Sequence, residues 1–453
     1  MPARTVIDRE LLRAAIKRET LRFTEDHPRS RALFERARGS LLGGVPMSWM
    51  MRWAGGFPIF VREGRGPRLV DVDGREYIDF CLGDTGAMTG HAPPAAVEAV
   101  AAAMGRGATF MLPTEDAVHV GEELRRRFGL PYWQVAVTAT DANRFAIRLA
   151  RHVTGRPKIL VFNGCYHGTV DETFITLENG APRPRRGNTG PPVDPAVTTR
   201  VVEFNDLPGL EGALSRGDVA CVLAEPAMTN IGIILPEPGY HDALRALTRR
   251  AGTLLVLDET HTLSAGPGGC TRAFGLEPDM LTIGKAIASG VPAAVYGLTA
   301  DLAARIGAGI DIEDADAGGI GGTLAGNALS LAAMRATLES VLTEEAFALT
   351  IPLARRWASG VADAIADLGL PWHVTTLGCR AEYWFRSTPP RNGAEAAASI
   401  DHELDHYMHL AALNRGILMT PFHNMALIAP GTTESEVDAH TRTFRDSVEP
   451  LLT

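Results

Sequence analysis

This sequence predicts an α/β protein: a largely parallel sheet wrapped by helices, with a smaller α+β part drawn from both ends of the chain. Three observations carry the expectation. From about residue 93 helical segments alternate with short apolar runs, the pattern of strands joined by helical crossovers. The clearest run, Leu254-Leu255-Val256-Leu257, reads as a buried strand that delivers Asp258 and Glu259 at its end. And 453 residues exceed one ordinary core, so two lobes are expected.

The elements follow in order. Residues 7–40 mix charges with Leu11, Leu12, Ile16, Leu21, Phe23, Leu33 and Phe34, an amphipathic helical arm interrupted near His27-Pro28. Ile59 to Phe80 reads as a small antiparallel meander punctuated by Gly64, Gly66 and the Asp73-Gly74 hairpin signal. The alternating region then runs through Val97–Met104, Ala117–Phe128, Val135–Thr138, Ala142–His152, Lys158–Phe162, Val219–Leu223, Tyr240–Ala251 and Leu254–Leu257. The Pro- and Gly-rich stretch 180–195 reads as a long surface loop. A helical stretch around 324–342 leads to helices and strands over 345–453, including the runs 381–385 and 425–429. The expected division is 1–85 for the arm and part of a small domain, 86–340 for a large domain, and 341–453 for the rest of the small domain.

Composition narrows the function. The chain is 45% hydrophobic with 47 Gly and 29 Pro, which excludes disordered and fibrous classes. Its net charge of −9 is spread without long blocks of one sign, arguing against nucleic-acid or anionic-membrane partners and for small-molecule chemistry. Cys81, Cys165, Cys221, Cys270 and Cys379 are scattered and lack a Cys-x-x-Cys pair, so neither a disulfide framework nor a metal site is expected. Charged residues near the start and the lack of a transmembrane-length window point to the cytoplasm.

Lys285 stands 27 positions after Asp258, just past Gly284, in Leu281-Thr282-Ile283-Gly284-Lys285. Such a lysine can form a Schiff base with an aldehyde; alone, it reads first as a solvated side chain in a strand-to-helix turn. Asp258 at a strand end suits the ring nitrogen of pyridoxal phosphate, or simply caps its own turn. The segment from Thr138 to Asn143 joins a strand to a helix with small and hydroxyl residues, as phosphate binding at a helix start requires and as any N-cap provides. Tyr166-His167-Gly168 offers a ring for stacking, or ordinary loop packing.

Together these elements, in this order, resemble the class III aminotransferases, pyridoxal-phosphate enzymes of fold type I. The resemblance spans most of the chain and includes Asp73-Gly-x-x-Tyr-x-Asp79, Gly90-His91, Thr138 to Asn143, Tyr166 to Gly168, Glu225-Pro226, Asp258-Glu259, Lys285 and Gly322 to Asn327. The branch it is most similar to holds the glutamate-1-semialdehyde aminomutases, β-amino-acid aminotransferases and amine (omega) transaminases. The resemblance implies a large domain with a mostly parallel seven-stranded sheet. It implies that Lys285 holds the cofactor covalently and moves the proton between the substrate's Cα and the cofactor's C4′, while Asp258 pairs with the ring nitrogen. Tyr166, with His167 beside it, would stack on the ring, and Ala139 and Thr140 would hold the phosphate. Thr323 would reach the phosphate of a second subunit, making a homodimer with shared sites. Glu225 would stand near the cofactor's 3-hydroxyl, or serve as a structural hydrogen-bonding carboxylate.

Departures bear on substrate. Thr260 and His261 follow Asp258-Glu259 where the family more often has Val or Ile and other residues, giving the ring a more polar slot. Met419-Thr420-Pro421-Phe422-His423-Asn424 lacks the Ser-Pro-Arg carboxylate clamp of β-amino-acid aminotransferases. The segment 43–53 brings Met47, Trp49, Met50, Met51 and Trp53, an apolar wall suited to an aryl or alkyl amine, or plain core packing. Arg380 and then Arg52 are candidates to grip a keto acid such as pyruvate, though either suits a surface ion pair. The favoured expectation is a ping-pong amine:keto-acid transaminase, with an aminomutase or β-amino-acid aminotransferase as the nearest alternative and a catalytically silent ligand-binding module as the non-enzyme one.

Overall fold

The computed structural model describes residues 6–309 and 319–453, which divide into two compact units. One comprises Met1–Pro93, Glu345–Pro389 and Ser399–Thr453; the other comprises Pro94–Glu344 and Pro390–Ala398.

The second unit is organised by a seven-stranded sheet in the order Tyr132–Ala136, Ala294–Leu298, Met280–Ile283, Leu254–Asp258, Val219–Ala224, Lys158–Phe162, Thr199–Val202. Every pairing is parallel except the two made by Ala294–Leu298. Val219–Ala224 is buried at every position, as its unbroken apolar sequence requires of a strand covered on both faces. Ala142, Ala146 and Ile147 of helix Ala139–Thr154 pack with Ile159, Val256, Met280 and Tyr296. Burying each branched or aromatic side chain contributes about 2 kcal/mol. The strands Thr199–Val202 and Ala294–Leu298 were not legible, the first because it is short and flanked by polar residues. The stretch read as a long loop contains Ala181–Pro184, which pairs antiparallel with Ile175–Glu178 as a hairpin. Two prolines sit in that strand, and Pro disfavours a strand reading. The short helix Gly393–Ala397 belongs to this unit because it lies against Asn163; a Cβ on Gly393 would meet the Asn163 carbonyl oxygen at 2.1 Å.

The first unit begins with helices Arg9–Asp26 and Pro28–Ala37, broken at His27 where the following proline disfavours helical backbone. Strands Val61–Arg65, Arg68–Asp71 and Glu76–Asp79 form the antiparallel meander, extended in parallel by Ile417–Leu418. A second sheet joins His373–Leu377, Arg380–Trp384 and Met425–Leu427. Leu12, Phe80, Trp357, Tyr383 and Tyr407 share its core. No described helix is long and apolar enough to cross a membrane.

Candidate active site

The second unit gathers most of the sequence-derived candidates at the carboxyl ends of neighbouring parallel strands. Leu254–Asp258 and Met280–Ile283 pair in register with Asp258 opposite Thr282, so the turns that follow them, carrying His261 and Lys285, emerge together. The Glu259 N–H donates to the Thr282 carbonyl at 2.8 Å, and the Gly284 N–H donates to Thr260 Oγ1 at 3.2 Å. The Thr260 hydroxyl, expected to make the ring's slot more polar, therefore already serves the backbone.

Asp258 is 3% exposed and fully engaged. Its Oδ2 accepts from Asn143 Nδ2 at 2.8 Å and from His167 Nδ1 at 2.9 Å, and its Oδ1 accepts from the Thr260 N–H at 3.0 Å. Asn143 also donates to the His167 carbonyl at 3.1 Å and accepts from Thr282 Oγ1 at 2.7 Å. Burial opposes charge on the carboxylate, but the hydrogen bond and charge of His167, with the Thr260 and Asn143 donors, hold Asp258 down at about 2. Burial likewise opposes the imidazolium, yet the neighbouring Cys165 sulfur and Asp258 raise His167 to about 10. The pair is a buried, charge-assisted contact. Glu259 is different: burial raises it despite donors from Thr262, Thr271 and the Cys270 N–H. It is a structural clamp, packed so closely on Gly269 that a Cβ there would lie 2.4 Å from its carboxylate.

Helix Ala139–Thr154 opens beside this network. Thr138 and Asp141 form a capping box that takes the Asp141 N–H, while the N–H groups of Ala139 and Thr140 belong to the same first turn, which has no intrahelical acceptors. Thr140 Oγ1 accepts from the Thr169 N–H at 3.0 Å. Gly168, at φ +81°, passes so near that a Cβ would meet Thr140 Oγ1 at 2.2 Å, and a Cβ on Gly284 would meet the Ala139 Cβ at 2.8 Å. Only glycine allows either approach. Tyr166 is half-buried with its ring edge-on to Phe174, centroids 6.2 Å apart. Glu225 is buried and accepts from Thr229 Oγ1.

Lys285 itself sits at φ +53°, a left-handed conformation that costs a non-glycine residue energy and tends to survive at functional positions. Its Nζ lies 2.9 Å from His261 Nε2. Thr323 is exposed and lines an open groove of about 1080 Å³ with Tyr296, Phe145 and Met111.

The remaining candidates lie in the first unit. Trp49 and Phe422 meet edge to face at 5.9 Å, with the Arg52 guanidinium 5.8 Å from the Phe422 centroid. Met50 is exposed. Arg380 is 1% exposed; its Nη2 donates to Thr85 Oγ1 at 2.7 Å and its Nη1 to Met425 Sδ at 3.1 Å. Sequence reasoning did not single out Asn143, Thr229 or Thr282. Asn143 carried one usable signal, a polar residue on the apolar face of an otherwise amphipathic helix.

Residues 49–355 match the model of the family described as aminotransferase class-III. The chain belongs to that family. This class III aminotransferase is 34% identical over 436 residues to the glutamate-1-semialdehyde 2,1-aminomutase of Desulfitobacterium hafniense, covering 93% of this chain and 98% of that one. Among solved structures it is similar to a glutamate-1-semialdehyde-aminomutase from Pseudomonas aeruginosa PAO1, with 50% identity, TM-score 0.96, and 98% and 99% of the two chains covered. A variant of that protein was crystallised in complex with PMP. It is also similar to an omega-transaminase from Sphaerobacter thermophilus, with 28% identity, TM-score 0.85, and 93% and 98% covered.

Proposed function

We propose that this class III aminotransferase binds pyridoxal phosphate and moves an amino group between two carbons of one molecule, as an aminomutase of the glutamate-1-semialdehyde type. The observation that carries the amino-group chemistry is the buried Asp258 carboxyl, accepting three hydrogen bonds at one strand end, with Lys285 just beyond the next. Two features of the chain fit the cofactor: a carboxylate kept charged where a ring nitrogen needs a proton, and a helix start kept open by Gly168 and Gly284. Pyridoxal phosphate, when bound, supplies an aldehyde that captures amines and a ring that withdraws electrons from the adjoining carbon.

The protein's own groups do the rest. Asp258, oriented by Asn143 and His167, holds a proton on the ring nitrogen. The Ala139 and Thr140 backbone and the Thr140 hydroxyl bind phosphate at a helix N-terminus. Tyr166 would stack on the ring, Thr260 would brace the turn beside it, and Glu225 would stand near the 3-hydroxyl. Lys285 Nζ would hold the aldehyde and, when free, would move the proton at the substrate's Cα. Thr323 would serve the phosphate of a second copy in a homodimer.

Intramolecular transfer is supported by the aminomutase names of the relatives at 34% and 50% identity. Amine:keto-acid transfer, favoured from the sequence alone, is the second reading. It is supported by the Trp49–Phe422 pair with Arg52 beside it, a surface suited to an aryl group and a carboxylate. The test is direct: the purified protein is given pyridoxal phosphate, then either glutamate 1-semialdehyde alone or 1-phenylethylamine with pyruvate. Turnover of the semialdehyde alone supports the aminomutase; acetophenone and alanine from the second pair, with no semialdehyde turnover, would overturn it. Absence of any cofactor absorbance band in the wild type would sink both.

A further inference from the structure

We infer that His261 is the proton acceptor that readies Lys285 for its chemistry, a role resting on the pyridoxal-phosphate reading above. A lysine amine attacks an aldehyde or removes a carbon-bound proton only through a free lone pair, so any proton occupying that pair has to pass to a neighbouring acceptor first. His261 Nε2 is 2.9 Å from Lys285 Nζ, within hydrogen-bond reach. In the step, one Nζ–H bond breaks and an Nε2–H bond forms; the nitrogen pair of the broken bond stays on Lys285, and the imidazolium passes its proton to solvent.

The contact is built by the fold. Although 24 residues separate the two side chains, they follow adjacent strands held in register, and Thr260 Oγ1 binds the Gly284 N–H to lock one turn on the other. The left-handed backbone at Lys285 is a second constraint at the same place. His261 is 8% exposed, so its ring is confined. The other ionisable groups on these elements are committed elsewhere: Asp258 to His167 and Asn143, Glu259 to Thr262, Thr271 and the Cys270 N–H.

The experiment follows covalent capture of added pyridoxal phosphate by the apoenzyme from pH 6 to 10, by absorbance and by borohydride trapping at Lys285. His261→Gln keeps the size and hydrogen-bonding capacity but cannot take a proton. Its capture rate at pH 7 is expected to fall about 100-fold, with the deficit shrinking as pH rises and hydroxide takes over as the proton acceptor. In His261→Ala, added imidazole is expected to restore the rate in proportion to its concentration. Wild-type capture rates in His261→Gln at every pH overturn the inference, as does a deficit equal at every pH and insensitive to imidazole, the mark of a merely structural residue. Failure of the wild type to capture the cofactor at all strikes the pyridoxal reading itself, so the two failures are distinguishable.

Discussion

The floor of the candidate site and the Trp49–Phe422 surface differ in how tightly their atoms are committed. Asp258 is buried with three donors on two oxygens, and its partners Asn143 and His167 are buried and bonded in turn. Trp49, Met50 and Phe422 belong to a region with exposed methionines at 47, 50 and 51, where the contacts are a ring edge and a guanidinium over a ring. A buried charge tolerates few arrangements because each lost donor exposes its desolvation cost. A half-buried aromatic pair beside exposed methionines can be rebuilt with less penalty. The difference teaches that the two regions constrain their residues unequally: the Asp258 network is over-determined by its partners, while the Trp49–Phe422 region is permissive.

The comparison is broken most decisively at Lys285. Lys285→Ala is expected to lower turnover by about 10²–10⁴-fold while leaving the fold intact, checked by steady-state rates beside circular dichroism. Retained turnover would move the chemistry elsewhere. Asp258→Asn comes next: it leaves His167 without its counter-charge and is expected to cost about 3–5 kcal/mol of apoenzyme stability in urea unfolding. Gly168→Ala forces a Cβ against Thr140 at a positive φ and should cost about 1–3 kcal/mol and weaken cofactor binding, read by melting and by titration with pyridoxal phosphate.

The Asp258–His167 pair also predicts a pH profile for apoenzyme stability. The Asp258 contribution is full above the ordinary carboxylate value of about 3.9 and is lost as pH falls through about 2; that of His167 is full below about 6.5 and lost as pH rises through about 10. A plateau between these limits, flattened into the background in Asp258→Asn, is the expected result of urea titrations across pH. The smallest effect belongs to the permissive surface. Phe422→Ala should cost about 0.5–1.5 kcal/mol of stability and change KM for aryl amines more than kcat for the semialdehyde. An equal loss in both substrates would place this pair among general structural contacts.

Legibility followed the same division. The helical arm, its break at His27, the meander, and the strands Lys158–Phe162, Val219–Ala224 and Leu254–Asp258 were readable because each owes its form to its own residues. Ala294–Leu298, antiparallel in a parallel sheet, was not, since its direction depends on neighbours far away in sequence. Lys285 and Asp258 stood out by their strand-end positions; Asn143 was not singled out, because a polar residue on an apolar helix face signals burial but does not say which partner it meets. His261 was noticed only as a departure.

By itself the sequence determined the alternation of helix and strand and the family, and it placed a lysine and an aspartate at strand ends, because periodicity, turn residues and motif spacing are local properties of the chain. Only the tertiary structure decided which atoms meet. Asn143 reaches Asp258 across 115 residues, and His261 reaches Lys285 across 24, because parallel strands in register bring their carboxyl ends to one edge. Those contacts set the charge state of Asp258 and the partner of the lysine, and they exist only where burial removes water and leaves each polar group to find its match within the protein.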